Sequence, residues 1–215
     1  MRDLRQPPDQ ASFDQRSIPV MRAPMLPPLP WYRLYQKEFA EQFYPSKGSR
    51  LTPLSGAFPC VYLAHSAETT VAEVWGDRLA AHRATGAEVY VISGDQAKRW
   101  GYLKLKAMPA DLKICDLFAA ETRLAIGIES GTLYAPDLSL PQTWAERIAR
   151  HPAGFDGIRY RSRHTDEACL VLWSRPTDSQ PLAQRIEFES VGEFIEADAA
   201  YLLAGKIGIR LAFAW

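Results

Sequence analysis

Two arginines, a tyrosine, a glutamate and a serine, far apart along the chain, sit in local patterns that chemistry can use. Arg33 lies in Trp31-Tyr-Arg-Leu-Tyr35, a short strand candidate dense in aromatics. Alternate side chains of a strand share a face, so Arg33 joins Trp31 and Tyr35. A guanidinium between aromatic rings can stack on them and still offer a planar fork to phosphate or carboxylate. An edge arginine snorkelling to water over the same rings gives the same pattern. Arg50 lies in Gly48-Ser-Arg-Leu-Thr-Pro53, where Gly and Pro shape a loop suited to holding one side chain beside a ligand. An ordinary solvated loop arginine fits that segment as well. Tyr62, on a short apolar strand, could stack on a planar ring or be a core tyrosine with a satisfied hydroxyl.

Glu73 falls on a helix that starts near Ser66. Val71, Val74, Trp75 and Leu79 mark its apolar face, and Glu73 points elsewhere, in step with Gly76, Ala80 and Ala84. Small residues at that spacing admit close approach of another element. A carboxylate on a covered face needs a partner; on an open face it is a solvated glutamate. Ser162 shares a strand face with Ile158 and Tyr160, so its hydroxyl serves either a ligand or the backbone. Arg159, Arg161 and Arg163 take the opposite face and read as a solvated or partner-facing stripe, since like charges on one face repel when buried.

The elements that must position these residues follow from spacing. Residues 1–30 hold Pro7, Pro8, Pro19, Pro24, Pro27, Pro28 and Pro30, which predicts an extended arm with neither a regular helix nor a central strand. The domain proper is expected over residues 31–215. Strands are predicted at 31–35, 61–64, 88–92, 100–105, 113–117, 158–163, 168–173 and 207–213, with a loop over 44–59. His164-Thr-Asp-Glu167 joins two of these strands as a hairpin. Helices are predicted from Ser66 to about Ala84, ending near Gly86, and from two capping-box patterns, Thr143–Glu146 and Ser190–Glu193, running to about Arg150 and Ala204. Clustered strands point to an α+β fold, with mostly antiparallel sheets and flanking helices.

The chain has 215 residues, 25 basic and 25 acidic, with 47% hydrophobic residues. That balance is globular, and a chain of this size can bury a core without staples. Zero formal charge disfavours broad electrostatic capture of nucleic acid or an anionic membrane. No stretch approaches the roughly 18 apolar residues of a membrane span, and the N-terminus has no apolar signal region. Cys60, Cys115 and Cys169 lie apart in apolar runs and read as buried thiols of a reducing, cytoplasmic compartment. The four histidines lack metal-ligand spacing, so no metal is assigned. The phosphate-binding loops GxGxxG and GxxxxGK[ST] and the serine elbow GxSxG are absent.

Taken in order, WYRL at 31–34, GSRLTP at 48–53, VYLAHSAETTVAEV at 61–74, FDGIRYRSR at 155–163 and CLVLW at 169–173 resemble the RES-domain family, named for its Arg, Glu and Ser. Many members carry Gly-Arg-Trp-Asn at the loop arginine, where this chain has Ser-Arg-Leu-Thr. The resemblance implies an ADP-ribosyltransferase-like fold and NAD as substrate, with no metal. It implies a toxin that breaks the nicotinamide–ribose bond by phosphorolysis or hydrolysis, neutralised by a helix-turn-helix antitoxin encoded nearby. By position, Arg50, Glu73 and Ser162 would be catalytic, and Arg33 and Tyr62 would bind substrate. Ser162 would position the nicotinamide ribose or amide, and Tyr62 would stack on the nicotinamide ring. Transfer of ADP-ribose to a protein and a non-enzymatic interaction module are the alternatives, and a homo-oligomer is left open.

Overall fold

The computed structural model describes residues 6–39, 48–194 and 208–212. A short helix α1 (Gln10–Asp14) and strand β1 (Val20–Arg22) precede β2 (Tyr32–Gln36), β3 (Cys60–Ala64) and the long helix α2 (Ala67–Ala84). Next come β4 (Tyr90–Ser93), α3 (Gly94–Lys98), β5 (Trp100–Ala107), β6 (Lys113–Asp116) and α4 (Ala120–Ile126). Helix α5 (Ser139–Ala149), β7 (Gly157–Arg161), β8 (Ala168–Trp173), β9 (Glu187–Glu193) and β10 (Ile209–Ala212) follow. Among the described residues, eight strands form one sheet in the order β1-β6-β7-β8-β3-β2-β5-β9, antiparallel at every junction but β6–β7. Strands β4 and β10 make a separate parallel pair. The fold is α+β, with a mostly antiparallel sheet flanked by helices, as the clustered strands imply.

Alternation along the strands divides the core between the two faces of the sheet. Cys60, Ala64, Ile158, Cys169, Val171 and Trp173 pack with Trp144 and Ile148 of α5 on one face. Val61, Leu63, Ile114, Leu170 and Leu172 pack with Trp31, Ala23 and Leu26 on the other. Helix α2 lays Val71, Trp75 and Leu79 on Leu34, Tyr102 and Ile92, as its apolar face predicts. Cys60, Cys115 and Cys169 are all buried and unpaired.

The sheet is weakest between β2 and β3. These strands share a single registered pair, Tyr32 with Ala64, whereas β2 pairs with β5 and β3 with β8 over five positions each. Beyond that pair the strands part.

Three expectations need correction. The proline-rich segment is more than an extended arm. Asp9 caps α1 by accepting from the Ser12 N–H at 2.9 Å, and Phe13 is fully buried against Trp144 and His151. Its strand, β1, lies at the sheet edge, where proline-rich chain can pair on one side only. The Thr143–Glu146 pattern does not open a helix. Helix α5 begins at Ser139, whose N–H and hydroxyl both donate to Asp137, at 2.9 and 2.7 Å. Pro141 is tolerated in the first turn, and the Thr143 hydroxyl donates back to the Ser139 carbonyl. Residues 190–193 lie in β9, paired with β5, and Gly192 at φ 102° cannot continue a helix without strain for other residues. An open strand edge outweighs the local capping signal there. The remainder of that expected helix, 195–204, lies outside the described residues.

Candidate active site

A hollow of about 630 Å³ opens where β2 and β3 part, bounded by α2 and by the loop at 48–51. Such a volume suits a small organic ligand, for which roughly 300–1,000 Å³ is usual. Arg33, Arg50, Tyr62 and Glu73 line it. Ser162 does not: it is 0% exposed, just past the end of β7.

Glu73 is placed by α2, and α2 is placed by its N-terminus. Ser66 caps the helix, its Oγ accepting from the Thr69 N–H at 3.1 Å. The turn between β7 and β8 then docks along one side of the helix. The Ser66 and Thr69 hydroxyls donate to Glu167, the latter at 2.5 Å, and the hydroxyls of Thr69 and Thr165 lie 2.7 Å apart. One turn further, Ser162 Oγ donates to Glu73 Oε1 at 2.7 Å. The same oxygen accepts from the His164 and Thr165 N–H groups at 3.2 and 3.4 Å. With those acceptor positions filled, its proton is directed at the carboxylate. Tyr160 donates a longer bond, 3.5 Å, to Glu73 Oε2. Burial holds the Tyr160 phenol well above its ordinary pKa, so it stays a donor. Ser162 therefore grips the acid and does not line the hollow.

The close approach foreseen from the small residues of α2 occurs at Gly76, against which the His164 ring sits; Ala80 and Ala84 are exposed. His164 Nε2 lies 3.6 Å from Asp77, and Arg163 pairs with the same carboxylate. Burial lowers the pKa of His164.

Arg50 is held by its neighbours. Leu51 and Thr52 are 2% and 1% exposed, and the Thr52 hydroxyl lies 2.9 Å from the Tyr62 phenol. The guanidinium donates to the Ala135 carbonyl. Its pKa is lowered by burial first and by Arg163 second, while Asp77 and Glu73 oppose the shift. Arg50 and Glu73 both line the hollow. Burial likewise raises the Tyr62 phenol, and the residue is half-buried at the edge of the hollow. Arg33 lies over the Tyr35 ring, 5.8 Å from its centroid, as strand alternation foretells. Trp31 instead sits in the core, edge-on to His65.

Sequence reasoning missed several groups. Tyr160 was on the right strand face, but nothing local says that this face meets Glu73. Arg161 and Arg163 are exposed, as a solvated stripe implies, while Arg159 is half-buried. Arg159 pairs with Asp116 at 3.1 Å, and Arg159 and Arg161 both lie over the Phe118 ring, at 4.5 and 4.3 Å. An acid and an aromatic face offset their mutual repulsion. Arg161 and Arg163 line the hollow, as does Tyr134, whose phenol donates to the Arg161 carbonyl at 2.9 Å.

Among the described residues, no helix is long and apolar enough to cross a membrane. No curated protein matches the chain. Among solved structures it is similar to a chain of the M.tuberculosis MbcT-MbcA toxin-antitoxin complex, at 20% identity and a TM-score of 0.57, over 91% of this chain and 96% of that one. At that identity the likeness concerns the fold, and the α+β architecture agrees with it. The RES domain pattern matches residues 30–189, spanning Arg33, Arg50, Tyr62, Glu73 and Ser162. On that match, covering most of the sequence, the chain belongs to the RES domain family.

Proposed function

We propose that this protein breaks the nicotinamide–ribose bond of NAD and acts as the toxin of a toxin–antitoxin pair. The observation that carries the reading is Glu73: its carboxylate is gripped by Ser162 and Tyr160, borders the hollow, and lies within electrostatic reach of Arg50. Cleavage moves the bonding electron pair from the ribose C1 onto the pyridinium nitrogen, and neutral nicotinamide leaves. Positive charge builds on the ribose, and a fixed carboxylate beside it stabilises that state. A water oxygen then bonds to C1 and its proton passes to solvent, or an anionic oxygen of inorganic phosphate bonds to C1 with no proton to lose. Arg33 and Arg50 suit the pyrophosphate through charge-assisted bonds, and Tyr62 offers a ring face to the nicotinamide. Ser162 acts through Glu73. NAD is the substrate, and the leaving group is already activated by its own charge, so these steps need no metal.

Family membership and the fold shared with a chain from a toxin–antitoxin complex support the toxin reading. A helix-turn-helix antitoxin encoded nearby would seat at the mouth of the hollow, in the cytoplasm, and block entry. The test is nicotinamide release from NAD by the purified protein, with and without inorganic phosphate. Release in either condition is expected, and none from folded protein removes the reading. Labelled NAD separates the products: free ADP-ribose or its phosphate ester is expected, and label on protein would indicate transfer instead. Full turnover by the complex with the antitoxin would overturn the blocking role.

A further inference from the structure

The reading above requires Glu73 to be aimed, and the aim depends on how closely the β7–β8 turn approaches α2. The turn touches the helix on both sides of the acid. Toward the N-terminus, Glu167 and Thr165 bind Ser66 and Thr69. Toward the C-terminus, Arg163 pairs with Asp77 and the His164 ring rests on Gly76. Positions 66, 69, 73 and 76 follow one another at helical spacing, so Ser162 meets Glu73 midway between the two anchor points. At the second point the fit is tight. A methyl group added at Gly76 would meet His164 Nδ1, Cγ and Cε1 at 2.6–2.7 Å, closer than atoms can approach. Gly76 has no backbone need to be glycine, since it lies inside a regular helix, where glycine is less favourable than alanine. What its missing side chain provides is room for the ring.

We propose that Gly76 is a positioning residue for the acid: the gap it leaves lets the His164 turn close on α2 and so brings Ser162 within hydrogen-bond distance of Glu73. The chain of contacts is short. Gly76 leaves room for the ring without needing it as an anchor, so the His164 N–H reaches Ser162 Oγ at 3.2 Å and that oxygen's proton reaches Glu73 at 2.7 Å. Filling the gap lifts the turn, lengthens the last contact and leaves the carboxylate free to swing.

The inference rests on the proposed NAD cleavage, and the experiment keeps the two apart. Wild-type nicotinamide release tests the reaction. The inference is tested by Gly76→Ala, in which the gain in helix propensity is set against crowding of the His164 ring; it should fold yet lose about tenfold or more in kcat, with KM within about twofold, as for a group realised in the transition state. His164→Ala removes the ring and keeps its backbone N–H, so it should stay within about threefold of wild type, and so should Gly76→Ala combined with His164→Ala. His164→Trp, which overfills the same gap from the other side, should lose kcat as Gly76→Ala does and serves if that variant does not fold. A crystal structure of either overfilled variant reads the effect without substrate: the Ser162–Glu73 separation should exceed 3.5 Å. A double variant as poor as Gly76→Ala, or overfilled variants with wild-type kcat or an unchanged Ser162–Glu73 contact, would overturn the proposal.

Discussion

The two sides of the hollow are built differently. Glu73 is held from outside its own helix, by a buried serine and a buried tyrosine on the β7 strand and the turn after it, and the turn is itself anchored to α2. Arg50 stands on a loop, fixed by the burial of Leu51 and Thr52 and by one bond to a backbone carbonyl. Arg33 stands on β2, where the sheet is coming apart, and leans on Tyr35. The acid is fixed by directed bonds from other elements, while the cations are carried by a loop and by a strand at the parting of the sheet. That division suits a reaction in which charge develops at one fixed atom while a flexible pyrophosphate must be caught.

The contrast can be broken at either side. Glu73→Gln should have the largest effect, removing one transition-state contact at a cost of about 3 kcal/mol, roughly a hundredfold in nicotinamide release, with the melting temperature retained. Ser162→Ala comes next. Loss of a buried bond to a charged group should lower kcat by about tenfold or more. Because Ser162 does not reach the hollow, KM should hold; a rise in KM with kcat unchanged would mean that it touches substrate after all. Arg50→Lys should do the reverse, raising KM by about tenfold through loss of the planar fork while kcat changes little. Tyr160→Phe removes only a long bond and should cost about threefold or less.

The smallest expected effect concerns pH. Burial lowers the pKa of His164 in the folded chain, so the unfolded chain binds a proton first as pH falls below about 6.5. Stability contributed by the neutral ring is therefore full above that value and declines as pH drops toward the folded pKa. Urea titrations of wild type and His164→Ala across pH 5–8 should show a shallower decline in the variant; parallel curves would argue against the linkage.

How much of this was legible beforehand varies with the range of the force involved. Strand β3 and helix α2 were readable because a short apolar run, a capping serine and an apolar stripe are local signals, and each survives in the fold. The start of α5 and the strand at 187–193 were not. In the first, Asp137 and Ser139 began the helix a turn before the more conspicuous pattern. In the second, pairing with β5 decided the conformation, and pairing is invisible along one strand. For the site, sequence order and resemblance singled out Arg33, Arg50, Tyr62 and Glu73, all of which border one hollow. The part played by Ser162 was hidden, because which element covers a strand face is settled only in three dimensions. Tyr160 was hidden for the same reason, and at Gly76 the close approach was legible but not the element that makes it.

The burial of Phe13 has a practical consequence. The family resemblance starts at residue 30, which invites a shortened expression clone beginning there. Such a clone would lack the phenyl ring that plugs the space between Trp144 and His151, and would bare an edge of β6 that β1 now occupies. Water and neighbouring molecules would find both, so trimming to the obvious boundary should yield inclusion bodies where the longer chain yields folded protein.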